Sequence, residues 1–370
     1  MKHVLGVINL HSSIDLGPLT KRRSIASTSF LSRYAFIDFQ LSNFANSGIS
    51  QIGILIREKP RSLFKHLGLG KEWSMNTKKG GITFMYNEQF ANQPAYNHDI
   101  NNLFENEFFF SGDKVTEVVF APAHILASID YRPIIDEHRA RKAHITMVSA
   151  EVTNANETFI GSDFVDIDID HVITHMGVNL GDRARRYMSL GVYIINRDTL
   201  YDLMVKARHT SAFFSLRDII THLIPEHVVH NHTFTGYVRC VDSLAHYQQY
   251  SLELLNPTNA EQFLKPSWPI YTRTFDTPPT YYGPTAKVSQ SFIANGAQIH
   301  GTVINSVVGR DVLVAEVAVI ENCVLMSRAH VTNKAHLKNV ILDKESVVEN
   351  ILHIEGQPNQ PVVVNQGEKV

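Results

Sequence analysis

From Ile293 to Leu337 an aliphatic side chain returns every six residues, at Val307, Leu313, Val319, Leu325, Val331 and Leu337, with Ile293 and Ile299 leading in and a two-residue slip between. Few folds tolerate such a period. A left-handed parallel β-helix requires it, because each six-residue face of a triangular solenoid places one aliphatic residue in the core and turns its corners with small or polar ones. Ala297, Ala329 and Ala335 suit those corners. Strands of an ordinary sandwich would show alternation with period two instead.

Ahead of the repeat, from Val4 to Ile194, short apolar runs alternate with helical patterns: His3–Asn9, Phe36–Ser47, Ile52–Ile56 and Val118–Phe120. That alternation predicts an α/β domain with a mostly parallel sheet. Gln51–Ile56, Thr116–Phe120, Ile145–Ser149 and Gly191–Ile195 read as its central strands. After Tyr250 the texture changes, as Pro257, Pro266, Pro269, Pro278, Pro279 and Pro284 crowd a stretch unable to hold a long regular element. The expected division is residues 1–250 for the first domain, 251–283 for a linker and 284–370 for the β-helix.

With 34 basic and 36 acidic side chains, the formal charge of −2 provides no broad field for a nucleic-acid backbone or an anionic membrane. Any phosphate-bearing ligand must be held locally. Cys240 and Cys323 are the two cysteines. They fit a reducing compartment and make no disulfide framework. Met1–Leu10 reads as a first strand rather than a leader, and no apolar run approaches the roughly 20 residues that span a bilayer. A cytoplasmic location is expected.

At Arg33–Ile49 the sequence RYAFIDFQLSNFANSGI resembles the (K/R)YRIIDFxLSNxxNSGI segment of glucose-1-phosphate adenylyltransferases. RSLFKHLGLGKEW and the following KKGG, within Arg61–Gly81, are similar to that family's SLxxHxxxGxxW stretch, and SLGVYI at Ser189–Ile194 to its SMGIYxF. With the β-helix, the resemblance covers nearly the whole chain. It implies a nucleotidyltransferase-like (Rossmann-like) first domain. From Pro269 through Lys344, the runs PIYTR, PPTYYGP and VILDK resemble in detail the regulatory, D-type subunit found beside a catalytic subunit in some Gram-positive bacteria.

The resemblance also locates what is missing. Adenylyl transfer passes through a crowded anionic transition state, so catalysis rests on positioning and on amides, cations and metal. The family's phosphate loop, GGxGxRL, falls on Leu10–Leu16, here LHSSIDL, which has no glycine and carries Asp15 in place of the loop arginine. Its RAKPAVPF lysine falls on Ile25. The metal-binding aspartate of GDHIYxxDY falls on Ala123, and that of YWRDVGT on Cys240, with Asp242 two residues on. The EKP lysine has no counterpart in Thr174–Arg186.

These substitutions imply a catalytically defective chain that holds no cofactor. Its role would be to regulate a catalytic partner, itself Mg²⁺-dependent, in a mixed tetramer supplying ADP-glucose for glycogen. Arg22 and Arg23 lie where the family carries a basic pair associated with anionic effectors, and Lys59 and Arg61, with Lys65, form a second basic patch. A metal site is not expected. His171 and His175 have helical spacing, but their run is β-branched and lacks an intervening Glu, while His227, His230 and His232 fall in a loop or strand. Two enzymatic alternatives remain: a weak adenylyltransferase in its own right, and a β-helix acyltransferase using His300, His330 or His336. Acyl-CoA enzymes bind at faces of three packed solenoids, whereas the family resembled here uses its solenoid for packing and regulation. A module that binds an effector and acts alone is a further alternative.

Overall fold

A computed structural model describes residues 3–73, 81–112, 114–332 and 334–370. The Lys78–Lys79–Gly80 part of the family-like stretch lies outside them. Before the solenoid the strands are β1 (Val4–Asn9), β2 (Ser29–Phe30), β3 (Tyr34–Ala35), β4 (Gln51–Ile56), β5 (Gly81–Tyr86), β6 (Glu117–Pro122), β7 (Ile125–Ala127), β8 (Ile145–Val152), β9 (Asp163–Ile167), β10 (Ile173–Val178), β11 (Arg186–Asn196), β12 (Val229–Thr233) and β13 (Val238–Cys240). The helices are α1 (Phe36–Asn46), α2 (Pro60–Leu67), α3 (Asp99–Glu105), α4 (Tyr131–Ala140), α5 (Arg197–Thr210), α6 (Leu216–Leu223), α7 (Leu244–Glu253) and α8 (Pro257–Phe263). The chain forms two compact units. One contains residues 1–13, 39–240 and 268–271, and the other residues 14–38, 241–267 and 272–370.

The first unit is built on a sheet of order β10-β9-β11-β6-β1-β4-β5, with β8 added beside β11 and β12 beside β8. Strands β6, β1, β4 and β5 are mutually parallel, whereas β11 runs antiparallel to β6, β8 and β9. The aliphatic and aromatic residues of β1, β6, β8 and β11 meet those of α5 and α6 in one core that includes Val7, Val118, Phe120, Met147, Ile195, Leu203 and Ile220. The buried polar face of α1 holds β7. Asn43 Nδ2 donates to Ala127 O (2.8 Å), Gln40 Nε2 to Ile125 O (3.3 Å), and Asn43 Oδ1 accepts from Ile129 N and from the Trp268 indole. The FQLSN part of the family-like motif thus satisfies backbone groups of a short strand that would otherwise be buried unpaired.

In the second unit three five-stranded parallel sheets wind into the expected left-handed β-helix, from Tyr281–Tyr282 to Val362–Val364. Val314 pairs with Val331 and Val331 with Val348, so these coils take 17 residues rather than 18, whereas the coil before them, in which Ile299 pairs with Val314, takes 15. Along the 17-residue coils the six-residue period therefore slips by one residue per coil. Val314 and Ile320 are fully buried, while Leu313 and Val319, the positions a strict period selects, are only partly so. Ala297, Ala329 and Ala335 all reach the core. Corners stack in columns of left-handed residues: Asn305, Asn322 and Asn339 in one, Asp311, Arg328 and Glu345 in another. Asparagine tolerates that conformation best among residues with a side chain, and Asn305 Nδ2 donates to Asn322 Oδ1 at 2.7 Å. Phe30, Phe36 and Tyr247 form an aromatic cluster beside the solenoid, with Tyr247 donating to Ser29 O (2.8 Å) and Gln248 to Asn322 O (2.7 Å).

Candidate functional site

In the first unit the chain moves from β1 to β4 and β5 on one side, then to β6 on the other side of β1. Open α/β sheets bind ligands outside the carboxyl ends of their strands at such a reversal. Asn9 and Pro122, the last residues of β1 and β6, are register partners. The segment expected at the family's phosphate loop, beginning at Leu10, and Ala123, expected at its metal position, therefore leave the sheet from adjacent strand ends.

His11 occupies the loop position and is tied down by its neighbours. Its backbone N–H donates to Asn9 Oδ1 (3.0 Å), and Asn102 Nδ2 of α3 donates to its Nε2 (3.1 Å). Asn102 also reaches Ile56 O and Met85 O at the ends of β4 and β5. Asp99 accepts from Asn9 Nδ2 (2.8 Å), from Ile100 N and from Leu216 N. Burial pushes the His11 imidazole down to about 4, with Asp99 pulling the other way and Arg57 adding to the depression. The ring is thus neutral at pH 7. In place of glycine amides free to approach a phosphate, this corner holds a neutral ring and an aspartate.

Ala123 is 2% exposed. Cys240, on β13, is the register partner of Ile125 in the short antiparallel pair β7/β13, two residues beyond Ala123. Two positions assigned from separate motifs are therefore separated by one register pair and two residues of chain. The Cys240 thiol is buried, with Ser162 Oγ 3.6 Å from it. The ion implied there is Mg²⁺, a hard cation that takes oxygen ligands, chiefly carboxylates. A methyl and a buried thiol supply none, so these residues do not fit it. Asp242 belongs to the second unit, where its carboxylate pairs with His246 Nδ1. Among the described residues no group of three His, Cys, Asp or Glu has the arrangement of a metal site. His171 is a left-handed turn residue and His175 lies in β10, so their helical spacing does not apply.

The remaining positions fall as follows. Asp15, in the second unit, accepts from Gly17 N (3.0 Å) and from the Thr20 hydroxyl, shaping the turn that opens Gly17–Thr20. Ile25 is buried at the start of a short 3₁₀ turn, Ile25–Ser27. Arg23 is buried too: its guanidinium donates to Leu19 O (2.8 Å) and to the Asp343 carboxylate. Beside this pair a cavity of about 290 Å³ is lined by Lys21 and Arg22, both exposed, and by residues near the C-terminus including Asn365 and Glu368. Lys59 and Arg61 lie in the first unit, at the left-handed residue preceding α2 and in its first turn; Lys59 Nζ is 3.2 Å from Glu58.

Sequence reasoning missed Asp343, which neutralises one arginine of the basic pair, and Asp99 with Asn102, which fill the loop corner. The latter had a faint signal in the polar residues of HDINNLFEN, a helix too rich in Asn for an ordinary surface.

The chain matches the nucleotidyl transferase family over residues 15–238 and the GlmU-like C-terminal hexapeptide family over residues 280–360. A glucose-1-phosphate adenylyltransferase of Thermotoga sp. (strain RQ2) is 30% identical over 312 residues, covering 83% of this chain and 73% of that protein. Proteins of the same name from Fervidobacterium nodosum and Lachnospira eligens are 29% and 28% identical, covering 96% and 81% of this chain and 85% and 71% of their own lengths.

Proposed function

Since the chain belongs to the glucose-1-phosphate adenylyltransferase family of nucleotidyl transferases, we propose that it is a regulatory subunit that does not turn over by itself and modulates a catalytic member of the same family. One observation carries this reading: Ala123 follows the end of β6 at the switch point, two residues before the register partner of Cys240, beside a glycine-free corner held by His11 and Asn102. In the family reaction an oxygen of glucose 1-phosphate attacks the α-phosphorus of ATP and pyrophosphate leaves. Negative charge grows on the leaving group and must be met by amides, cations and metal. Here those places hold a neutral imidazole, a methyl and a thiol, while Ile25 and Asp15 stand for a lysine and an arginine. Removing one preorganised donor typically costs about 10²–10³ in rate. Groups that act as one unit do not multiply, yet too little is left to hold a magnesium nucleotide.

The chain would act instead through assembly. A ligand that favours one quaternary state is enough to couple it to a partner's turnover, because coupling requires only different affinities for two states. Lys21 and Arg22, exposed at the cavity beside the Arg23–Asp343 pair, suit an anionic effector, with Arg23 as a scaffold rather than a contact. Magnesium and the covalent chemistry then belong to the catalytic partner, and ADP-glucose for glycogen is the product of the assembly.

The test is to mix the purified chain with the catalytic glucose-1-phosphate adenylyltransferase of the same cell and measure particle size and kinetics. A larger, mixed particle with altered turnover or effector response is expected. Unchanged size and kinetics would refute the regulatory role.

A further inference from the structure

The first unit holds a cavity of about 410 Å³ that neither the family motifs nor the regulatory reading uses. It lies where β8 and β12 begin: Ile145 lines it, and so does Val228, the residue ahead of Val229, which is the register partner of Ile145. Strand β8 runs parallel to β6, because both are antiparallel to β11. The cavity is therefore at the end of the sheet opposite the carboxyl ends that make the switch point.

Its floor is apolar and its rim is charged. Ile145, Leu203 and Leu223 are buried, at 3%, 3% and 5% exposed, whereas Val228 beside them is 57% exposed. Asp202 and Lys206, four residues apart on α5, share one helix face with Leu203, and Glu226 and His227 come from the turn that follows α6. All four are exposed. Lys206 Nζ is 3.0 Å from His227 Nε2, and since an ammonium can only donate, the ring nitrogen accepts. Two further N–H groups of Lys206 stay available. Among the described residues Lys206, Asp202 and Glu226 make no ion pair, so a cation and two carboxylates stand around an aliphatic hollow without neutralising one another.

We propose that this cavity binds a zwitterionic amino acid with a branched aliphatic side chain. Lys206 takes the carboxylate, Asp202 and Glu226 take the ammonium, and the side chain rests on Ile145, Leu203 and Leu223. The volume is within the range of about 300–1,000 Å³ usual for small-molecule sites. A ligand with one charge would cover the opposite charge of the rim without pairing it, which is unfavourable, whereas a zwitterion pairs both. The site is separate from the Lys21–Arg22 cavity and does not depend on the regulatory reading.

Calorimetric titration of the full chain tests it with three probes: leucine, 4-methylpentanoate, which lacks the ammonium, and 3-methylbutylamine, which lacks the carboxylate. Leucine should bind at one site, about tenfold or more tighter than either analogue, because each analogue forfeits a charge-assisted contact. Lys206→Gln should weaken leucine by about tenfold or more. No binding of leucine at about 10 mM, an analogue that binds as tightly as leucine, or a Lys206→Gln protein with parental affinity each overturns the site. Should Lys206→Gln fail to fold, the double variant Asp202→Asn, Glu226→Gln is measured in its place: weakened leucine binding upholds the site, and parental affinity overturns it.

Discussion

Arg23 donates to the carboxylate of Asp343, 320 residues away in sequence, and both side chains are almost wholly withdrawn from water, at 5% and 1% exposed. Breaking a buried pair by removing one partner leaves an uncompensated charge and costs about 3–5 kcal/mol. Arg23→Ala and Asp343→Ala should each lower stability to urea by that order. The double variant should lose less than the sum, which a double-mutant cycle reads directly. Additive losses would mean that the two residues act separately.

Ile320 fills the solenoid interior, while its neighbour Val319 is only partly buried. Ile320→Ala should cost about 2–5 kcal/mol and Val319→Ala less than about 1.5 kcal/mol. Thermal melts of both variants check the 17-residue coil. The reverse order would restore the strict six-residue phase.

His11 is neutral in the folded chain because burial pushes it down to about 4, whereas an unfolded histidine titrates near 6.5. Below about 6.5 the unfolded state therefore takes up a proton that the folded state refuses. The stability this residue protects is complete above 6.5 and falls as the pH drops toward 4, by at most about 3 kcal/mol. Carboxylates also titrate in this range, so the readout is a comparison. His11→Gln should lose less stability than the parent between pH 7 and pH 4.5, and identical pH profiles would remove His11 as the cause.

Restoring single groups should not restore catalysis. Asp15→Arg places a cation, and Ala123→Asp a carboxylate, where the family resemblance expects the loop arginine and a metal-binding aspartate. Each leaves the other lost groups in place, so neither should form ADP-glucose above background in a coupled assay. Recovery in either variant would mean that the remaining site is more complete than its residues indicate.

How much of this can be read from the sequence follows from the range of each interaction. The solenoid is legible because every coil needs core aliphatics at nearly fixed spacing, but the one-residue slip per coil is not, since Leu313 and Val314 are both aliphatic. Gly191–Ile195 reads as a buried strand, but its antiparallel direction is not encoded in apolar content alone. Ala123 and Cys240 are assigned from flanking motifs, whereas the β7/β13 pairing of Cys240 with Ile125 is not written in either motif. The Arg23–Asp343 pair joins residues far apart in the chain, and no local pattern announces it.

The central claim is that this chain cannot run adenylyl transfer unaided. Its most direct test is the purified chain alone with ATP, glucose 1-phosphate and Mg²⁺, followed for ADP-glucose and pyrophosphate. The account predicts no product above the enzyme-free blank. Sustained turnover that survives removal of trace contaminating enzyme would contradict it.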